Sequence, residues 1–406
     1  MNPDPGSSSG LTAAVLEAGR AAGLAAVGVA PAEVLEPART VLQLRKSAGF
    51  AGDMQFTYRN PDRSTDPETA LSGARSFVAG AWSYGHWQRP ESDVPSGPSG
   101  SIARYSWHDH YADLEGALQQ MADLLIANGY RARVVADTNA LVDRNVAWRA
   151  GLGWYGKNTN LLIPEAGSWF VLGSVVTDAV LEPSGPPLAD GCGPCDRCRD
   201  ECPTGAIVAP GVIDATRCLA WIVQAPGTIP IAYREAVGDR IYGCDDCQDV
   251  CPPNRVTIRG TGQEEGSSLR GETPVAVAEP HRVRADIVWL LEAEDDQILD
   301  RHGRWYIPRR DVDHVRRTAL VVLGNTAAPR DRSTVPLLRR YLTDPNPMLR
   351  AHATWAAKRL GLGRLLPEDH ADDDPTVQTE REASVTARFS SADWDGAVAV
   401  GVRAGP

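Results

Sequence analysis

Residues 192–203 read CGPCDRCRDECP, and residues 244–252 read CDDCQDVCP. These two stretches hold seven of the chain's eight cysteines, the remaining one being Cys218. The first is the bacterial ferredoxin spacing, in which three cysteines bind one [4Fe–4S] cube and the fourth reaches across to a second. The second stretch lacks its first cysteine, because Ile241 stands where a full repeat places it, and Cys218 is the natural replacement. Crossing the fourth ligands assigns Cys192, Cys195, Cys198 and Cys251 to one cluster, and Cys202, Cys218, Cys244 and Cys247 to the other. Paired Cys-x2-Cys steps also build four-cysteine zinc sites. Three cysteines in seven residues followed by Cys-Pro fit a cube better. Disulfides are not expected: the opening MNPDPGSSSG has neither a basic start nor an apolar signal segment, which points to a reducing, cytoplasmic setting.

A chain of 406 residues has room for two or three domains. No apolar run reaches the length of a membrane span, so no membrane association is expected. The net charge of −11 argues, taken alone, against a nucleic-acid partner. The average conceals an asymmetry. Residues 301–360 carry thirteen Lys or Arg against four Asp or Glu, and residues 368–406 carry nine acidic against three basic. The basic segment is where a polyanion would dock, through Arg309, Arg310, Arg316, Arg317, Arg350 and Lys358. A solvated helical face is the competing reading of such a run.

Helices and strands alternate in the first half. Leu11, Val15, Ala18 and Ala22 mark a helix, Arg75–Ala81 a buried strand, 91–100 a loop, and Tyr111–Asn128 a helix closed by Gly129. Ala132–Ala136 reads as a strand ending at Asp137, and residues 168–177 as another. The pattern predicts an α/β (α+β) layer architecture over 11–187, followed by a ferredoxin-like two-cluster domain at 188–258. A disordered tail at 1–10, a linker at 259–284 and an acidic, disordered tail at 367–406 complete the outline. Between the last two, residues 285–366 form an all-α domain. There HVRRTALVVLGN (314–325) and MLRAHATWAAKRLG (348–361) share a pattern about 34 residues apart, with VPLLRRYL between them, as in HEAT-like repeats.

The surroundings of the cysteines resemble the epoxyqueuosine reductases. GLGWYGKNTNLLIPEAGSWFVLGSVVTD (151–178), CGPCDRCRDECPTGAI (192–207), GDRIYGCDDCQDVCPPN (238–254) and VVADTNALVDR (134–144) are similar to that family's signature segments. The likeness covers roughly residues 50–360. There are departures: Asp109-His110-Tyr111 replaces the family's Asp-Tyr-His, Pro253 stands where Trp is common, and LAWIVQ follows Cys218. The resemblance implies a tRNA-modifying oxidoreductase that reduces the epoxide of epoxyqueuosine at the wobble position to give queuosine. It implies two [4Fe–4S] clusters and base-off cobalamin, a flavodoxin- or ferredoxin-type electron donor, and a monomer. An Asp-x-His-x-x-Gly cobalamin motif is absent, consistent with a family that binds the cofactor without a protein histidine.

The family's proton donor matches Asp137, which by itself also reads as an Asx turn or helix N-cap before Thr138-Asn139. Lys157 and Asn158 invite a phosphate or cofactor-tail role beside Gly153 and Gly156, or simply form a tight turn. Asp245 and Asp246, between cluster cysteines, are candidates for a cobalamin pocket or for satisfying backbone donors. Two other readings compete: a reductive dehalogenase, whose usual twin-arginine signal is absent here, and a non-catalytic electron-transfer module with a docking solenoid.

Overall fold

The computed structural model describes residues 8–90, 95–259, 276–367, 372 and 374–394. The chain divides into two compact units, each assembled from three separate segments. One comprises residues up to 88, 108–218 and 245–277; the other comprises 89–107, 219–244 and 278 onward. These divisions cut across the chain-order segments expected from sequence.

The first unit is organised by a four-stranded sheet. Helix α1 (Ser8–Ala21) leads to β1 (Ala26–Pro31) and β2 (Ser76–Ser83). Helix α2 (His110–Ala127), β3 (Ala132–Ala136), helix α3 (Asp143–Arg149) and β4 (Phe170–Thr177) follow. Strand order is β1-β2-β4-β3, with every neighbouring pair antiparallel. The α/β alternation is therefore real, but the sheet is not of the parallel kind that alternation usually signals, and the unit is α+β.

Side chains alternate across β2 as a pleat requires. Phe77, Ala79 and Ala81 join Val146 and Ala147 of α3 in one core. On the opposite face, Gly80 pairs with Gly173 of β4, and a Cβ on either would meet Leu118 of α2 at 3.0 Å or 2.8 Å. The two glycines form a dimple that admits Leu118, so α2 sits close to the sheet. Leu114, Leu118, Met121 and Leu125 of α2 are all fully buried. At 20–33 cal/mol per Å² of apolar surface, each such side chain contributes about 1.5–3 kcal/mol. Helix α2 starts where Asp109 caps it, its carboxylate accepting the N–H of Ala112 at 3.2 Å, and it ends before Gly129 at φ 85°. Strand β3 is the sheet edge, and its last ladder pair is Ala136 with Gly173.

The second unit has a small sheet in which Ser99–Ile102 pairs in parallel with Arg240–Tyr242 and antiparallel with Arg284–Asp286. After two short helices, Ile287–Glu292 and Asp295–His302, come α4 (Asp313–Thr326), α5 (Thr334–Leu342), α6 (Pro347–Arg359) and α7 (Pro375–Glu382). Helix α6 packs on α4, α5 and α7.

Three expectations are corrected here. Residues 91–100 were expected to be a loop, yet Ser99 and Gly100 belong to the central strand of the small sheet. The expected linker at 259–284 holds a strand at Ala276–Val277, paired with Trp87–Gln88, and a helix at Pro280–Val283; residues 260–275 lie outside the described residues. The expected disordered tail from 367 contains α7 with Val377 and Glu380 buried, and Trp394, fully buried, donates its indole N–H to the Leu360 carbonyl at 2.8 Å. Acidic composition misled because Asp372 and Glu380 have partners inside the fold, Arg350 and Arg234. At the other end, Ser8–Gly10 are helical, and residues 1–7 lie outside the described residues.

Candidate active site and cluster region

Asp137 ends β3 in the left-handed region, with φ 46°, a conformation most side chains avoid and aspartate tolerates. The chain turns there and re-enters α3 at Asp143. Asp137 is exposed to solvent, yet protein surrounds it closely enough that burial, and then the charge of Glu115, push its carboxyl above the usual carboxylate range. Asp143 is pushed well above that range, first by burial and then by Asp137, while a hydrogen bond from the Asp137 backbone acts in the opposite sense. The second carboxylate thus helps hold the strained turn that aims the first. Asp143 Oδ1 is buried with no hydrogen-bond partner among the described residues, which favours the protonated form.

Tyr111 completes the group. Burial raises its phenol first, and Asp137, Asp143 and Tyr84 add to the effect, so it remains a neutral O–H near both carboxyls. The neighbouring His110 is fully buried and stacks on Tyr84 with ring centroids 5.4 Å apart. The inverted His-Tyr order of this chain therefore directs a phenol towards the acid pair and an imidazole into the aromatic core. Sequence reading singled out Asp137 and missed Tyr111 and Asp143. Their signal was the placement of Tyr111 in the first turn of α2 and of Asp143 at the start of α3, two ends that meet only in the folded sheet.

In the cluster region none of the eight cysteines is joined in a disulfide. Cys251 is buried, and its thiol is pushed up to about 11, by burial first and then by Cys192, Cys198 and Cys195. Cys198 is raised by burial, then by Cys192 and Cys195. Four sulfurs that oppose one another's ionisation stand close together, and such a set becomes stable as thiolates when bound iron neutralises it. Cys202 Sγ accepts the N–H of Ala206 at 3.2 Å. N–H···S contacts of this kind tune iron–sulfur clusters. Cys218, Cys244 and Cys247 are partly buried.

The turn at 156–160 braces this region. Asn158, 2 % exposed, donates to the Cys247 carbonyl at 3.3 Å, and Lys157 lies 3.3 Å from the Asp196 carboxylate, between Cys195 and Cys198. Both expected cofactor-tail residues thus hold the cysteine loops, and the charge of Lys157 is met internally. Asp245 and Asp246 are partly buried at the head of the short helix Asp246–Asp249, where the Asp245 carbonyl accepts from Gln248 and Asp249. A further residue escaped notice. Asn254 is fully buried, accepts the Ser168 N–H at 2.6 Å and donates to the Gln248 carbonyl at 2.8 Å, tying the residues just before β4 to the segment after Cys251-Pro252. Gly167, at φ 76°, makes that approach possible, since a Cβ there would meet Asn254 Oδ1 at 2.0 Å.

The expected polyanion site is largely corrected. Arg317 is fully buried and donates to the carbonyls of Val223, Ala225 and Gly227, and burial lowers its pKa to about 9. Arg316 pairs with Asp295 at 2.7 Å and Asp313 at 3.0 Å, and Arg350 holds Asp372 through two bonds of 2.6 and 2.7 Å. Lys358 gives its ammonium to the carbonyls of Glu380, Arg381 and Ala383. A run of charge cannot reveal partners that arrive from distant segments. Arg309 and Arg310 are exposed, and Arg310 donates to the Gly303 carbonyl at 2.5 Å.

Comparison with known proteins bears on the same residues. The family described as "4Fe-4S double cluster binding domain" matches residues 191–254. An epoxyqueuosine reductase of Lactococcus garvieae is 32% identical over 345 residues, covering 82% of this chain and 92% of the relative. That of Bacillus subtilis is 30% identical, covering 86% and 87%. A crystal structure of epoxyqueuosine reductase with an epoxyqueuosine-modified tRNA-Tyr stem loop superposes with a TM-score of 0.79 at 28% identity, covering 92% of this chain and 98% of the other. A Bacillus subtilis structure with its catalytic aspartate loop swung out of the active site gives 0.77 at 27% identity, with coverages of 92% and 98%.

Proposed function

The chain belongs to the epoxyqueuosine reductase family, and on that premise we propose that it reduces the epoxide of epoxyqueuosine in tRNA, with Asp137 as the proton donor. The protein is an oxidoreductase. Its overall reaction takes two electrons and two protons, turning the epoxide into an alkene and releasing its oxygen as water. The observation that carries the assignment of the donor is a carboxyl with a raised pKa on an accessible, left-handed turn at the end of β3.

Cys192, Cys195, Cys198 and Cys251 are proposed as ligands of one [4Fe–4S] cluster, supported by their mutual crowding. Cys202, Cys218, Cys244 and Cys247 are proposed for the other, supported by spacing and by the double-cluster match at 191–254. The clusters supply single electrons, and cobalamin, when bound, would supply a low-valent cobalt that brings two of them to the substrate. One feature suits such a reductant: Asp137 is an accessible carboxyl with a raised pKa, able to protonate a departing oxygen. Asp245 and Asp246 remain proposed cofactor neighbours, and a flavodoxin- or ferredoxin-type donor and a monomeric state belong to the same reading. In the helical unit, the packing of α4 on α6 supports the HEAT-like reading.

The roles of the chain's own groups follow from their settings. The Asp137 carboxyl donates to the epoxide oxygen, because a bare alkoxide is a poor leaving group away from water. Asp143, whose carboxyl is pushed well above the usual carboxylate range by burial, holds the turn. Tyr111 keeps its proton and stands as a neutral phenol near the pair. Exposure of Asp137 lets solvent return the proton after turnover. The test is to incubate reduced enzyme carrying both clusters and cobalamin, without air, with tRNA containing epoxyqueuosine, and to digest and weigh the nucleosides. Conversion to queuosine is expected. Unchanged epoxyqueuosine with full metal loading refutes the proposal.

A further inference from the structure

Many arginines among the described residues are occupied by carboxylates or backbone carbonyls, and Arg59 and Arg63 are among those that are not. Arg59 ends the short helix Phe56–Arg59, and Arg63 opens the next turn; both are exposed. Among the described residues neither guanidinium has a carboxylate within ion-pair distance. The acid lying between them in sequence, Asp62, is directed elsewhere: it accepts from Gln43 at 3.0 Å and lies 3.5 Å from Arg39 Nε.

Arg59 and Arg63 line a cavity of about 220 Å³ together with Asn60, Ser64 and Asn139. At roughly 30 Å³ per water, the space exceeds what a single counter-ion fills. Asn60 Oδ1 is taken by the Arg63 N–H at 3.1 Å, which leaves the side-chain amide nitrogen as a donor. Ser64, 1 % exposed, donates its hydroxyl to the Asn139 carbonyl at 2.7 Å, fixing one wall. The cavity is thus lined by two exposed arginines and an asparagine with a spare amide donor, residue types that recognise a phosphodiester. Asn139 lies in the turn between Asp137 and α3, so a group held here is beside the loop that carries the acid.

We infer that this cavity holds a backbone phosphodiester of the tRNA strand, next to the nucleotide presented to Asp137. The inference rests on the tRNA reading above and adds to it a docking point in the sheet unit, in a region whose sequence shows no basic run. Cobalamin also carries a phosphodiester, in its nucleotide tail, and the test separates the two sources.

The experiment uses the full chain with both clusters, as wild type and as the double variant Arg59→Gln/Arg63→Gln. Binding of an anticodon stem-loop RNA is measured over a range of salt, and uptake of cobalamin is compared with that of cobinamide, which lacks the tail phosphodiester. The double variant is expected to bind RNA at least about tenfold more weakly at low salt, with the salt slope reduced by about one per arginine. Cluster absorbance and the cobalamin-to-cobinamide preference are expected to stay at wild-type levels. RNA binding with unchanged affinity and slope overturns the inference. So does a loss confined to the preference for cobalamin, which assigns the cavity to the cofactor tail. Turnover is read separately: wild type that binds RNA through these arginines yet leaves epoxyqueuosine intact sinks the functional reading while the docking site stands.

Discussion

In the helical unit Arg317 is fully buried and gives its guanidinium to three backbone carbonyls, whereas in the sheet unit Arg59 and Arg63 stand exposed around a cavity with no ion-pair partner among the described residues. The helical unit is rich in positive charge, but the acids that follow it return to the same fold. Asp372 takes Arg350, and Glu380, 3 % exposed, takes Arg234, 1 % exposed, at 2.5 Å. Its basic residues are largely consumed as structural ties. In the sheet unit the two arginines owe nothing to the fold. Availability to a polyanion therefore depends on which cations lack an internal acceptor, and local charge density is a poor guide to that.

The contrast breaks most visibly at the buried pair. Replacing Arg234 with Met leaves the Glu380 carboxylate buried and uncompensated, a change that costs about 3–5 kcal/mol. Chemical denaturation is expected to show that loss, while the RNA affinity of the remaining folded protein is unchanged. Adding Glu380→Leu to the same variant is expected to restore most of the stability. If Arg234→Met instead weakens RNA binding at full stability, the structural role is wrong.

Arg350→Glu is the next test. It removes a two-pronged, charge-assisted contact with Asp372 and sets two like charges together, for an expected loss of about 1.5–3 kcal/mol. Stem-loop affinity is expected to hold. A salt slope reduced with no loss of stability would return Arg350 to the polyanion site and erase the distinction between the units.

A smaller effect sharpens the other side of the comparison, where charge acts on chemistry. Asp137 must be protonated to donate, and its pKa is raised, so activity is expected to fall as pH rises through that value. The Glu115 charge contributes to the rise. Glu115→Gln therefore lowers the Asp137 pKa and moves the alkaline limb of the rate profile to lower pH. Glu115 is exposed, so stability should change by no more than about 0.5 kcal/mol. A limb that stays in place would show that another group controls it.

Some of this architecture was legible in the sequence. The strand at Ala132–Ala136 and the helix ending at Gly129 announced themselves through local periodicity and a turn residue, and Asp137 fell at the strand end as expected. Strand direction was not legible, because the order β1-β2-β4-β3 rests on non-local pairings such as Gly80 with Gly173. The C-terminal segment hid its order because its anchors, Trp394 on Leu360 and Glu380 on Arg234, lie far away in the chain. The cavity at Arg59 and Arg63 was invisible for the same reason: Asn139 reaches it only once β3 has joined the sheet.

The central claim is that Asp137 delivers the proton that lets the epoxide oxygen depart. The most direct measurement is a single-turnover assay of Asp137→Asn against wild type, since asparagine also tolerates φ near 46° and preserves the turn. The account predicts intact cluster absorbance, unchanged stem-loop binding and a reaction slowed by about 10²–10⁴-fold. Queuosine formed by the variant at the wild-type rate would contradict it.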